Sequence, residues 1–93
     1  MEGVDLRNKD LSGSILKSVD LSNKDLTGTI LSFADLSGAN LEGANLFNSD
    51  LSNVILNDVD LSNVDFTNAK IKNIKNIKIN VKSASLSNWP ALD

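Results

Sequence analysis

Large apolar residues recur at every fifth position of this chain. Leu6, Leu11, Leu16, Leu21, Leu26, Leu31, Leu36, Leu41, Leu46, Leu51, Leu56 and Leu61 form an unbroken row that Phe66 and Ile71 continue. A helix does not account for that spacing. Five residues advance a 3.6-residue helix by about 140°, so the row would wind over every face. A flat strand fails as well, because an odd spacing alternates between its two faces. The chain must turn once per repeat, so that every fifth side chain reaches a common interior.

The intervening positions agree with a turn. Two residues before the row stand Val4, Val19, Ala34, Ala39, Ala44, Val54, Val59, Val64 and Ala69, small and apolar, sharing the inward side with the row. One residue before it, facing outward, stand Asp5, Asp10, Asp20, Asp25, Asp35, Asn40, Asn45, Asp50, Asp60 and Asp65. Serine or threonine commonly follows the row, and two residues after it come Gly13, Asn23, Gly28, Gly38, Gly43, Asn48, Asn53, Asn63 and Asn68. Glycine and asparagine tolerate the left-handed backbone that tight turns demand. The unit reads small, Asp/Asn, Leu, Ser/Thr, Gly/Asn.

Strings such as Ala34-Asp35-Leu36-Ser37-Gly38 and Ala39-Asn40-Leu41-Glu42-Gly43 resemble the consensus of the pentapeptide-repeat family. The resemblance covers residues 4–73 without interruption. It implies an all-β fold, a right-handed quadrilateral parallel β-helix with four repeats per turn and about four and a half coils. Coils would run 4–23, 24–43, 44–63 and 64–83, as a single domain over 1–93 with an irregular final coil and cap in 74–93. Leucine-rich, hexapeptide and calcium-binding nonapeptide repeats all need other periods.

Departures from the unit are where function is sought. Lys9 and Lys24 occupy inward small-residue positions. Either their stems pack and their ammonium groups snorkel outward, or they pair with Asp10, Asp25 or a neighbour. Ile15, Ile30 and Ile55 replace the outward aspartate, and Phe33 replaces the glycine or asparagine at a corner. In a twenty-residue register Ile15, Asp35 and Ile55 form one outward column beside Phe33, with Ile30 just before it. This cluster of four exposed apolar residues is the candidate partner contact. Near the C-terminus the row spacing becomes six from Ile71 to Ile77 and four from Ile77 to Val81. A bulge with a compensating deletion explains this in a strand, which the β-branched residues favour over an amphipathic helix. A solenoid end needs a cap, and Trp89, Pro90 and Leu92 are the candidates.

Composition then narrows the chemistry. Aromatics are 4% of the chain, so the core must be built of stacked aliphatics. With no cysteine and no histidine, disulfides, thiolate metal sites and His-based triads are excluded. No nucleophile, cofactor motif or cleft-forming insertion stands out, so the expectation is a non-enzyme without a cofactor. Neither a signal peptide nor a membrane span is evident, and the expected location is cytoplasmic.

The net charge of −3 is unevenly spread. Residues 1–65 carry 11 acidic and 4 basic side chains, and residues 66–93 carry 1 and 5. Asp5, Asp25 and Asp65 fall in one acidic column, Asp20 and Asp60 in another. The leading expectation is a rigid structural or protein-interaction module, homo-oligomeric through an end-to-end or face-to-face dimer, with no membrane partner. The family resemblance also implies an alternative, since some members are acidic rods that mimic DNA and bind a type II topoisomerase such as gyrase. Nucleic-acid contact through Lys70, Lys72, Lys75, Lys78 and Lys82 is a third and weaker reading, because no aromatics or arginines are interleaved.

Overall fold

The computed structural model describes residues 4–74 together with Lys82 and Ala84. Residues preceding the leucine row pair in parallel with their equivalents twenty positions on. Asp10 pairs with Ile30, Ile15 with Asp35, Asp20 with Asn40 and Asp25 with Asn45, and the ladder continues through Asp50 with Lys70. Twenty residues therefore make one turn of a parallel β-solenoid, with four pentapeptides to the turn.

The repeat works because it satisfies its own backbone. In Ala34–Gly38 the Ala34 amide closes a turn onto the Leu31 carbonyl at 3.0 Å. The Asp35 amide reaches back to Ser14 O at 2.9 Å, while Leu36 and Gly38 reach forward to Ile55 O and Asn57 O at 2.9 and 2.8 Å. One amide is left over, that of Ser37, and it donates to Asp35 Oδ1 at 3.0 Å. Four of five amides are thus served by the backbone and the fifth by the side chain of the outward aspartate. Buried or not, backbone donors need such partners, and here the partner is written into the sequence two residues upstream.

Each turn also needs a left-handed residue. Every position two after the row from Asn8 to Asn73 has positive φ, between 57° and 72°. The stacked corners are tight. A Cβ at Gly28 would collide with Asn8 Oδ1, and one at Gly43 with Asn23 Oδ1, so at these two corners the asparagine side chain of one coil occupies the space left by glycine in the next.

The interior is the leucine row. Leu21 through Leu61 are essentially sealed, Phe66 takes a leucine place at 0% exposure, and Ala34, Ala39, Ala44, Val54, Val59 and Val64 fill the gaps between. Cover is thinner in the first coil, where Leu11 and Val19 are half-buried. Of the two inward-position lysines, Lys9 is exposed and Lys24 half-buried, and neither makes a salt bridge with Asp10 or Asp25. Among the buried hydroxyls, Thr29 donates to Leu6 O at 2.7 Å and Ser62 to Asp60 Oδ1 at 2.6 Å, while Ser49 Oγ has no partner.

The ladder holds to the end of the regular repeats, and one bond reaches beyond them. Lys70 pairs with Asp50, the Lys72 carbonyl accepts from Asn53, and the Lys82 carbonyl accepts from Asn63 at the usual offset. The Ile77 irregularity, Lys75, Lys78 and the candidate cap of Trp89, Pro90 and Leu92 lie outside the described residues. Among the described residues no helix is long and apolar enough to cross a membrane.

Candidate functional site

The outward aspartates are occupied groups. Asp10, Asp20, Asp25, Asp60 and Asp65 each accept an amide at 2.9–3.1 Å and a serine or threonine hydroxyl at 2.5–2.7 Å on the same oxygen. Asp35 does the same with Ser37. These bonds favour the ionised form. The hydroxyl, and then the amide, hold each of these six carboxyls below the ordinary aspartate value. Asp5 uses a different partner: the Arg7 side chain grips both oxygens, at 3.1 and 3.0 Å, and pushes it down to about 2. Where asparagine stands instead, at Asn40 and Asn45, its Oδ1 caps the Glu42 and Phe47 amides at 3.0 Å.

Parts of the acidic columns inferred from sequence are bridged, and Asp5 is not among the bridged residues. Asp20, Asn40 and Asp60 stack by parallel bridges, as do Asp25, Asn45 and Asp65. An asparagine interrupts each one, so Asp20 and Asp60, and likewise Asp25 and Asp65, stand two coils apart. Among the described residues no three acidic groups converge as a metal-holding set.

The apolar substitutions give up this cap. Ile15, Ile30 and Ile55 have no side-chain acceptor for the amides of Lys17, Ser32 and Asn57. Two of the three also leave hydrocarbon in water: Ile15 is 79% exposed and Ile30 37%. Ile55 differs from the expectation of an exposed residue. It is half-buried, whereas Ile15 lies in the first described coil.

Phe33 departs in two ways at once. It is 67% exposed, and it holds φ of 62°. The other left-handed corners carry asparagine, glycine, serine or aspartate. A bulky side chain in that region is a true outlier, and such strain is of order 1–3 kcal/mol.

These residues share one edge. Ile15, Asp35 and Ile55 are consecutive in one bridged column. Phe33 turns the corner two residues before Asp35, and Ile30 lies on the adjoining side. Asp35 sits between the isoleucines with its side chain 23% exposed, and Lys17 Nζ approaches its second oxygen at 3.8 Å. Sequence reasoning found the four apolar residues. It missed Lys17, because a pairing between residues eighteen apart becomes visible only once the coil register is known.

The repeat, the register and the capped turns together settle the family. The chain matches the family described as Pentapeptide repeats, in 8 copies, over residues 1–32 and 44–74. It belongs to the pentapeptide-repeat family. A pentapeptide repeat protein of Nostoc PCC 7120, alr5209, is 36% identical over 84% of this chain and 64% of its own, with a TM-score of 0.54. One from the Arabidopsis thaliana thylakoid lumen is 28% identical over 96% of this chain and 69% of its own, also at 0.54. The plasmid-mediated fluoroquinolone resistance protein QnrB1 superposes at a TM-score of 0.80 over 88% of this chain, with 19% identity. That likeness is one of fold, and this chain spans only 42% of the QnrB1 chain. No curated protein matches the sequence. As a pentapeptide-repeat protein the chain is an all-β repeat solenoid, a scaffold whose individuality lies in its outward positions.

Proposed function

We propose that this pentapeptide-repeat protein is a non-enzymatic, cytoplasmic protein-interaction module. Its body is a right-handed, four-sided rod of about four and a half coils, and its contact surface is the edge of Ile15, Ile30, Phe33 and Ile55. One observation carries the reading. At this edge the chain forgoes three turn caps and accepts a strained phenylalanine, and the same residues put hydrocarbon into water. Each is locally unfavourable, and asparagine at all four positions would relieve it. Residues that weaken the fold while forming one apolar edge are explained by contact with another protein.

The acidic columns support a DNA-mimic reading less well. Asp20 and Asp60, like Asp25 and Asp65, stand two coils or roughly 9.5 Å apart, and even carboxylates in successive coils would recur only about every 4.8 Å, against one phosphate charge per about 1.7 Å of duplex axis. Each capped carboxylate is also already committed to its own turn. Lys70, Lys72 and Lys82 are exposed, but no aromatic is interleaved with them in the sequence from 70 to 82, as a base-stacking platform would want.

The reading is tested by replacing Ile15, Ile30, Phe33 and Ile55 together with asparagine. The variant keeps its circular-dichroism spectrum and loses the proteins that the parent retains from a host lysate. Retention of the same proteins by the folded variant contradicts the assignment of this edge.

A further inference from the structure

We propose that the edge binds a second copy of this chain, in an antiparallel pair whose two-fold axis passes through Asp35. The proposal rests on the interaction reading above and names its partner. A two-fold contact needs a surface complementary to itself, with residue i of one copy on residue j of the other and the reverse. The column Ile15, Asp35, Ile55 has this property, since the isoleucines lie one coil to either side of Asp35, about 4.8 Å each way.

Three features fix the arrangement. The first is cover. Ile15 is 79% exposed while Ile55 is half-buried. An antiparallel pair sets the exposed Ile15 of each copy against the half-buried Ile55 of the other. A parallel pair would oppose two exposed isoleucines at one end and two half-buried ones at the other.

The second is shape along the axis. For Ile15 to meet Ile55, the two-fold axis must run along the chain direction of the Asp35 coil. Phe33 stands two residues before Asp35 in that same coil and is 67% exposed, so the rotation brings the two Phe33 rings together beside the axis, where an aromatic pair is favourable. The strained φ of Phe33 is what aims it outward from the corner.

The third is charge. Two Asp35 carboxylates alone would repel at the axis. Each copy brings Lys17, whose Nζ already lies 3.8 Å from Asp35 Oδ2, and the four groups together are neutral. Three coils rise only about 15 Å, a small face against the roughly 800 Å² a standard interface takes from each partner. The dimer is therefore weak, dissociating in the micromolar range.

Cysteine cross-linking tests the geometry, and the protein has no native cysteine to interfere. Ile15→Cys and Ile55→Cys are made separately on chains with tags of different length, then oxidised alone and mixed. The antiparallel pair predicts a disulfide dimer from the mixture and little from either alone. Like positions are separated by roughly 10 Å along the column, beyond the 4.4–6.8 Å Cα span of a disulfide. Adding Lys17→Glu to both chains leaves four acids at the axis and reduces the mixed dimer at least tenfold, with the circular-dichroism spectrum unchanged. Like-with-like linkage overturns the antiparallel arrangement, as does a yield that ignores Lys17→Glu. Absence of any linkage overturns the second copy as partner. If the four-asparagine variant still loses captured proteins in that case, the interaction reading stands without it; if capture is also unaffected, both fail.

Discussion

Leu36→Lys abolishes folding. Leu36 is fully buried in the middle of the leucine row, with row residues of the neighbouring coils above and below it. An ammonium there has no acid within the interior to pair with, and an isolated buried charge costs more than a small domain's entire stability of about 5–15 kcal/mol. Leu36→Ala separates charge from cavity: it costs about 2–5 kcal/mol and leaves a folded, less stable chain. Ile15→Lys is the matching control, because the same class of change on a side chain 79% exposed leaves the fold intact. Circular dichroism and a thermal melt of the three variants check the order. A cooperative melt for Leu36→Lys near that of the parent would show that the row is not the core.

Acid removes stability, and asparagine protects against the loss. Six aspartates are held below the ordinary value by hydroxyl and amide donors. Their folded pKa lies below the unfolded one of about 3.9. In the interval between the two, the unfolded chain binds more protons, so stability rises with pH there. The contribution is complete above about pH 4 and is lost as pH falls through the folded values, with Asp5, at about 2, the last to go. Protonation also costs each turn amide its strongest acceptor. Replacing Asp20, Asp25, Asp60 and Asp65 with asparagine keeps an acceptor, as Asn40 and Asn45 do already, and flattens the acid limb of the melting-temperature profile between pH 4 and pH 2. Asn45→Ala, with no charge involved, isolates the cap itself: the Phe47 amide loses its 3.0 Å acceptor, at about 1 kcal/mol. An acid limb of unchanged slope in the four-asparagine-for-aspartate variant would show that the caps do not carry the pH dependence.

The fold was legible in the sequence because a solenoid repeats its constraints. A fivefold row of leucine admits neither helix nor flat strand, and each repeat restates where the interior lies. The role of aspartate was not legible to the same depth. Composition placed it outward, but its function as acceptor for the one amide the ladder omits appears only when all five amides of Ala34–Gly38 are traced. The same holds for Phe33: the sequence shows a ring where glycine or asparagine is usual, while the left-handed φ that makes the choice unfavourable is a fact of the backbone. Ile55 is half-buried and Ile15 exposed, a difference invisible to a reading by repeat type because both hold the same place in the unit. Lys17 was passed over because its acid lies in the next coil.

The central claim is that Ile15, Ile30, Phe33 and Ile55 are retained for contact against the interest of the fold. The measurement that reaches it most directly is the melting temperature of the variant carrying asparagine at all four positions, compared with the parent at a concentration where both are monomeric. Three regained turn caps contribute roughly 0.5–1.5 kcal/mol each, and relief at Phe33 adds about 1 kcal/mol. Lost packing of half-buried Ile55 offsets part of the gain, leaving a net of about 2 kcal/mol, or roughly 10 °C for a domain of this size. A variant that melts higher than the parent is the predicted result; one that melts lower would contradict it and return these four residues to the fold.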